Sequence, residues 1–314
     1  MGIIFGPVKS RRLGLSLGLE LVPKKICSMD CLYCEVGKTT KLTLEREAYI
    51  SWEQIEKGLL EAKGKEKEYD VLTLTGSGEP TLNLHFEKTV FTAKNVVSKP
   101  ISVLTNSTTL NLSSVREALA QVDLVLASLD CALEKSFKLL NRPARGVQLK
   151  EIIEGLKILR DFMKGELWLE VLLVRNVNDS DEDLKALKEA INYINPHKVQ
   201  LNTVVRPPAY PMAKALSFKE LERIREFLGE RAEVIVSSEP KVKTKKLSKE
   251  ELERLIIEYL RRRPAPFPEL SFIFSFEKDH NIILEELIQK GQIKKIFHEG
   301  EFFYLIKGEI LSEF

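Results

Sequence analysis

The chain has 314 residues, 44% of them hydrophobic and 30% charged, with 48 basic and 46 acidic side chains. That length exceeds an ordinary single domain, so one large unit and one small unit are expected. A net charge of +2 does not by itself point to nucleic acid.

No run of about 18 apolar residues occurs, so no membrane span is expected. The opening MGIIFGPVKSRRLG has no apolar core of a secretory signal. The expected location is cytoplasmic, with no membrane partner.

In chain order, β-rich runs fall at 13–22, 70–76, 101–106, 124–130, 167–174, 198–205 and 232–237. Several are apolar throughout, as parallel strands covered on both faces are. Helical apolar spacing fills 111–122, 149–164 and 179–194. Asn111 or Ser113, and Asp179 or Ser180, are candidate N-caps. The alternation implies an α/β fold with a parallel sheet, a barrel or part of one. Active sites of such folds lie at the C-terminal strand ends.

The pattern changes after Pro240. Residues 241–251 are polar and basic, and Ser248 with Glu251 fits a capping box. Residues 247–263 make an amphipathic helix stopped by Pro264. Residues 280–306 then give a helix, a stop at Gly291, a strand, a turn at Glu299–Gly300 and a second strand. Helices followed by a hairpin suggest a small α+β, winged-helix-like C-terminal domain. The expected division is therefore 1–238, a linker at 239–246, and 247–314.

Three of the four cysteines, Cys27, Cys31 and Cys34, sit within eight residues. In a reducing compartment such clusters serve metal or redox chemistry more often than disulfides. Their spacing puts three soft thiolates on one loop just after a strand. Thiolates select zinc, copper(I) or iron–sulfur clusters. Structural zinc takes four ligands. Cys131 and His85 are distant in sequence, although a fold can bring either near, so zinc remains open. Three ligands on a four-iron cluster would leave one iron free to bind a substrate or cofactor.

The loop resembles the signature of the radical S-adenosylmethionine (radical SAM) superfamily, Cys-x3-Cys-x-aromatic-Cys, with Tyr33 in the aromatic slot. The resemblance spans residues 5 to 238 and implies a partial (β/α)6 TIM-like barrel. It implies that Cys27, Cys31 and Cys34 hold a 4Fe–4S cluster, whose open iron chelates S-adenosylmethionine, with Tyr33 by the adenine. TLTGSGEPTL (73–82) resembles the family's glycine-rich turn ending in Glu, which makes Gly76, Ser77, Gly78 and Glu79 cofactor-binding candidates. Glycines let backbone approach a ligand closely. By the same resemblance Asn106, Ser128 and Asp130, at the ends of the third and fourth runs, meet the cofactor's ribose and carboxylate. The chemistry implied is reductive cleavage to methionine and a 5′-deoxyadenosyl radical that abstracts hydrogen from a substrate. An external flavodoxin- or ferredoxin-like electron donor is implied, since the chain offers no flavin motif.

Residues 5–18, 141–146 and 200–208 resemble a subgroup related to wyosine-type transfer-RNA enzymes. Enzymes that build the wyosine core carry further cysteines for a second cluster, and here only Cys131 remains. Cys131 is a candidate catalytic thiol, or else a small buried hydrophobe. Ser10, Arg11, Arg12, Arg142, Arg145 and Arg206 are candidates for anion binding, or ordinary surface charge. Glu170, Gln200 and Asn202 alternate onto a strand face that can point into a barrel.

A tail helix over 277–295 could enter a nucleic-acid groove. Glu277, Asp279, Glu285 and Glu286 would oppose a phosphate backbone, and Lys241, Lys243, Lys245 and Lys246 are the better handle. The expected function is a radical SAM enzyme acting on a macromolecule, RNA or protein. The alternatives are an iron–sulfur redox-sensing DNA-binding regulator and a structural zinc module.

Overall fold

The computed structural model describes residues 3–10, 12–23, 25–235, 248–274 and 281–308. The expected linker at 239–246 with its lysines, and Arg11, Glu277 and Asp279, lie outside the described residues, as does the Glu251 side chain of the expected capping box.

The chain opens with a hairpin. β1 (Ile4–Ser10) pairs antiparallel with β2 (Gly14–Glu20), and its register slips between Phe5 and Val8. β1 is a strand that the apolar pattern does not announce. Pro7 is tolerated because β1 lies at the sheet edge, where a missing N–H costs no ladder bond.

After β2 a long loop carries the short parallel pair β3 (Ile26–Cys27) and β4 (Lys41–Leu42), then α1 (Trp52–Gly64). Strand and helix then alternate: β5 (Val71–Thr75), α2 (Phe86–Val96), β6 (Ile101–Thr105), α3 (Ser113–Leu119), β7 (Leu124–Ser128), α4 (Glu134–Leu140), α5 (Leu149–Phe162), β8 (Glu166–Leu173), α6 (Asp181–Ile194), β9 (Lys198–Thr203), α7 (Phe218–Leu228) and β10 (Ala232–Val234). The sheet order is β1-β2-β5-β6-β7-β8-β9-β10, parallel from β2 onward. β1 and β10 are not neighbours, so the curved sheet stays open, a partial barrel as expected.

β8 illustrates the logic. Leu167, Leu169, Val171 and Leu173 are buried on one face, while Trp168, Glu170 and Leu172 alternate on the other. Helix α5 supplies a matching stripe of Leu149, Ile152, Leu156 and Leu159, all buried. Burying each such side chain contributes roughly 1.5–3 kcal/mol. On the opposite face the strands carry polar groups, and Thr73 Oγ1 lies 2.7 Å from Ser16 Oγ and 2.8 Å from Ser102 Oγ.

Ser180 caps α6 by accepting from the Asp183 N–H, as expected. α3 is a correction. The chain enters it extended at Leu112, so Ser113 already lies in the first turn and neither Asn111 nor Ser113 caps it.

The C-terminal elements are α8 (Lys249–Leu260), β11 (Ala265–Pro266), α9 (Phe267–Phe274), α10 (Asn281–Gln289), β12 (Ile293–His298) and β13 (Glu301–Ile306). Their strands form a separate antiparallel sheet, ordered β11-β13-β12. They bury their own core, including Leu252, Ile256, Leu260, Leu270, Leu284 and Leu287. Gly291 follows α10 at φ +67°, a backbone state that ends helices at low cost. Val8 of β1 packs against this second core.

Candidate active site

The loop after β2 crosses the C-terminal ends of the parallel strands and brings Cys27, Cys31 and Cys34 there. Backbone bonds from the segment after α4 pin it down. Asp30 N–H donates to the Asn141 carbonyl (3.0 Å), Leu32 N–H to Leu140 (2.9 Å) and Ala144 N–H to Ser28 (2.9 Å). Asp30 accepts from Thr39 N–H (2.8 Å) and Tyr210 O–H (2.6 Å).

Each cysteine sulfur faces a different N–H donor. Lys25 Nζ lies 3.1 Å from Cys34 Sγ, Asn106 Nδ2 3.4 Å from Cys27 Sγ, and Asn141 Nδ2 3.5 Å from Cys31 Sγ. Burial pushes the Cys27 thiol up to about 11 and the Cys31 thiol higher still. Burial works against the Lys25 ammonium, yet the charge of Cys34, Cys27 and Cys31 outweighs it and holds the proton on more firmly.

The turn at 76–79 lies against the same loop. Gly78 packs so closely on Ile26 that a Cβ would stand 1.6 Å from the Ile26 carbonyl oxygen, and only glycine fits. Glu79 N–H donates to that carbonyl (3.2 Å) and Ser77 N–H to Val22 (3.1 Å). Ser77 also donates from its N–H (3.2 Å) and hydroxyl to Glu20, the last residue of β2.

Glu79 is buried and accepts from Thr81 N–H and O–H, Thr105 O–H (2.8 Å) and Asn106 N–H (2.6 Å). Burial pushes its carboxyl above the usual range. Asn106 in turn bonds Ser28 and Thr108. Thus Cys27, Gly78, Glu79 and Asn106 form one connected group.

Asp130 anchors a second group. It accepts from Tyr33 O–H (2.5 Å), Asn141 Nδ2 (2.7 Å) and Leu172 N–H (2.9 Å), and burial pushes it up to about 6. Ser128 ends β7 beside it, and its carbonyl accepts from Ser107. Cys131 is 2% exposed and lines a small cavity with Met29, Ser128, Asp130 and Asn141. Burial drives its thiol far upward, the setting of a small core residue.

Sequence inspection passes over Lys25, Glu20 and Asn141. Asn141 opens the NRPARG segment, the one available signal. Among the other polar candidates, Arg12, Glu170 and Asn202 meet, while Gln200 bonds Glu233. Arg206 pairs with Glu35 and Glu269, and Arg142 stacks on Tyr210 (4.4 Å) beside Asp30. Ser10 accepts from Arg12 and Leu13 N–H within a turn, and Arg145 is exposed.

Among the described residues no three His, Cys, Asp or Glu side chains converge as ligands of a single ion.

A family profile described as the Radical SAM superfamily matches residues 21–187. The chain belongs to the radical SAM superfamily. Membership gives it the cofactors expected from the cysteine loop, a 4Fe–4S cluster on three cysteines and S-adenosylmethionine, and places it among enzymes that take electrons from an external donor. A UPF0026 protein of Methanocaldococcus jannaschii is 32% identical over 312 residues, covering 97% of this chain and 96% of that one. A Brachyspira hyodysenteriae protein named GTPase Obg is 33% identical over 309 residues. That alignment takes in 96% of this chain but only 45% of that relative's length. In fold, the chain resembles a radical SAM methyltransferase from Sphaerobacter thermophilus, with TM-score 0.51, 20% identity, and coverage of 70% of this chain and 65% of that one. No helix among the described residues is long and apolar enough to cross a membrane.

Proposed function

We propose that Cys27, Cys31 and Cys34 are the three cluster ligands, and that S-adenosylmethionine lies between them and the turn Gly76–Glu79, near Tyr33, Asn106, Ser128 and Asp130. The observation that carries this is the contact of Gly78 with the Ile26 carbonyl, one residue before Cys27. It joins two motifs far apart in sequence into one cradle.

The residues present fit the cofactors. Lys25 is a buried ammonium that donates to the Cys34 sulfur, so a cluster-bound thiolate there would have a charge partner. Asn106 and Asn141 point N–H groups at the other two sulfurs, and hydrogen bonds to sulfur tune cluster potential. Bound here, the cluster would supply one-electron reduction, the chemistry that cleaves S-adenosylmethionine to methionine and a 5′-deoxyadenosyl radical. The protein's part is to orient the nucleotide, with the turn Gly76–Glu79 at its methionine end, and to exclude water. A flavodoxin- or ferredoxin-like protein is the proposed donor.

The proposed substrate is a macromolecule, with RNA favoured over polypeptide. Two units, 1–238 and 247–314, are proposed, joined at 239–246. The C-terminal order of helix, strand, two helices and two strands supports a winged-helix-like unit. Its hairpin displays Phe297 and Phe302, 63% and 50% exposed, with Lys295 Nζ 4.4 Å from the Phe302 ring. A cation beside exposed rings suits stacking of unpaired bases. Lys38 and Arg142 flank Tyr210 over the cysteine loop and suit an anionic polymer. No observation favours a redox-sensing regulator. The nucleotide chemistry in the name of the Brachyspira relative is not carried over, because Leu32 stands where the Gly-x4-Gly-Lys-Thr phosphate loop would need glycine ahead of Gly37.

The test is anaerobic reconstitution with iron and sulfide, then dithionite and S-adenosylmethionine. Formation of 5′-deoxyadenosine, abolished by Cys31→Ala, is expected; none from the wild-type chain rejects the enzyme. Crosslinking of the loaded protein to RNA is expected, and capture of polypeptide alone would replace RNA with protein.

A further inference from the structure

We propose that Arg262 and Arg263, consecutive residues just beyond α8, are positioning residues for the cofactor site, each steadying one of its two loops through a single glutamate. The inference rests on the cofactor site proposed above and assigns the C-terminal unit a direct part in it.

Arg262 stacks on Phe5, 3.8 Å from the ring centroid, and its Nη2 lies 3.6 Å from Glu20 Oε2. The other oxygen of Glu20 receives both the N–H and the hydroxyl of Ser77. The line therefore runs from Arg262 through Glu20 to the centre of the glycine turn.

Arg263 reaches the other loop. Its Nη1 lies 3.4 Å from Glu35 Oε1, and Glu35 directly follows Cys34. Its Nη2 lies 3.1 Å from Glu269 and 2.5 Å from Tyr259 Oη. Arg206, beyond β9, closes the network by donating to Glu35 (2.9 Å) and Glu269 (2.8 Å). Glu35 is thus held between an arginine of the barrel and an arginine of the C-terminal unit.

Exposed ion pairs contribute little. These are partly sheltered: the Arg262 and Glu20 side chains are 21% and 18% exposed, and those of Arg263 and Glu35 29% and 37%. Removing one arginine leaves a half-sheltered carboxylate less well paired, and it turns toward water. For Glu20 that movement takes Ser77 with it, and for Glu35 it shifts the peptide bonded to Cys34. Parting the C-terminal unit from the barrel would take Arg262 from Glu20 and leave Glu35 with Arg206 but without Arg263.

The experiment uses the full-length chain, reconstituted anaerobically, as wild type, Arg262→Gln, Arg263→Gln and the two Lys versions. Three readouts are taken: KM and kcat for 5′-deoxyadenosine formation, the EPR signal of the reduced cluster with and without S-adenosylmethionine, and thermal melting. Arg262→Gln is expected to raise the KM for S-adenosylmethionine roughly tenfold with little change in kcat, the low end for losing a residue that supports a binding group. Arg263→Gln is expected to alter the cluster's EPR signal and lower its iron retention. Arg262→Lys recovers part of the loss, since it keeps the charge. Arg263→Lys recovers less, because three acceptors need the planar fork.

Wild-type KM and EPR in both Gln variants, with lowered melting alone, would overturn the proposal and leave the pair as a structural clamp. If Arg263→Gln does not fold, Glu35→Gln keeps the Glu269 and Tyr259 contacts and serves instead; an unchanged EPR signal there also overturns it. A wild-type chain that takes up neither iron nor S-adenosylmethionine would defeat the cofactor reading first, and this inference with it.

Discussion

Lys25 Nζ meets Cys34 Sγ at 3.1 Å in a pocket that leaves the lysine 3% exposed. Replacing Lys25 with Met keeps the apolar stem and removes the charge. Iron affinity should fall roughly tenfold, as when a partner behind a metal ligand is lost. The cluster's reduction midpoint should move to lower potential, because a nearby positive charge favours the reduced form. Iron analysis and an EPR-monitored redox titration check this, and unchanged values in both would refute it.

Gly78 admits no side chain, because the obstacle is backbone. Gly78→Ala should cost about 1–3 kcal/mol, the range for forced overpacking, and should weaken S-adenosylmethionine binding. Gly64→Ala is the contrast: its Cβ meets nothing within 4 Å at the end of α1. That change should be neutral or stabilising by up to about 1 kcal/mol. Melting curves of the two variants decide, and equal effects would count against the cradle.

The carboxyl of Glu269 is held below the usual range. Burial alone would raise it, but the arginines Arg206 and Arg263 prevail. A carboxyl lowered in the fold gives stability that is present above its unfolded value and lost as pH falls through the folded one. The loss should therefore begin below the ordinary value of 4.5. Glu269→Gln should flatten this acid limb and cost about 1–3 kcal/mol at neutral pH, less than a fully buried pair would. Denaturant unfolding at stepped pH measures both, and parallel limbs would refute the assignment.

Cys131→Ala tests the fourth cysteine. Its burial predicts a loss of about 1 kcal/mol from lost packing and 5′-deoxyadenosine formation within about twofold of wild type. Abolished cleavage in a folded variant would return the thiol to the chemistry.

What the sequence reveals divides along physical lines. Strands β5 to β9 are apolar enough to be recognised, and α5 and α6 carry unmistakable stripes. β1 escapes because Gly6, Pro7 and Lys9 read as loop, and only its pairing with β2 makes it a strand. The cysteines and Gly76–Glu79 are legible because their chemistry is local. The bond of Asp130 to Tyr33, the approach of Asn141 to Cys31 and the grip of Arg263 on Glu35 join residues far apart in the chain. No spacing rule announces such partners, and Arg206 reads equally as an anion site until Glu35 and Glu269 are seen around it.

The meeting of Val8 with the second core has a practical corollary. β1 is a border strand, and bare borders recruit other chains into intermolecular ladders. Here α8 packs beside that strand, so it would hinder self-association as well as attach the unit. Cutting the gene between the two cores would uncover the flank, and insolubility of the shortened product would then say nothing about catalysis.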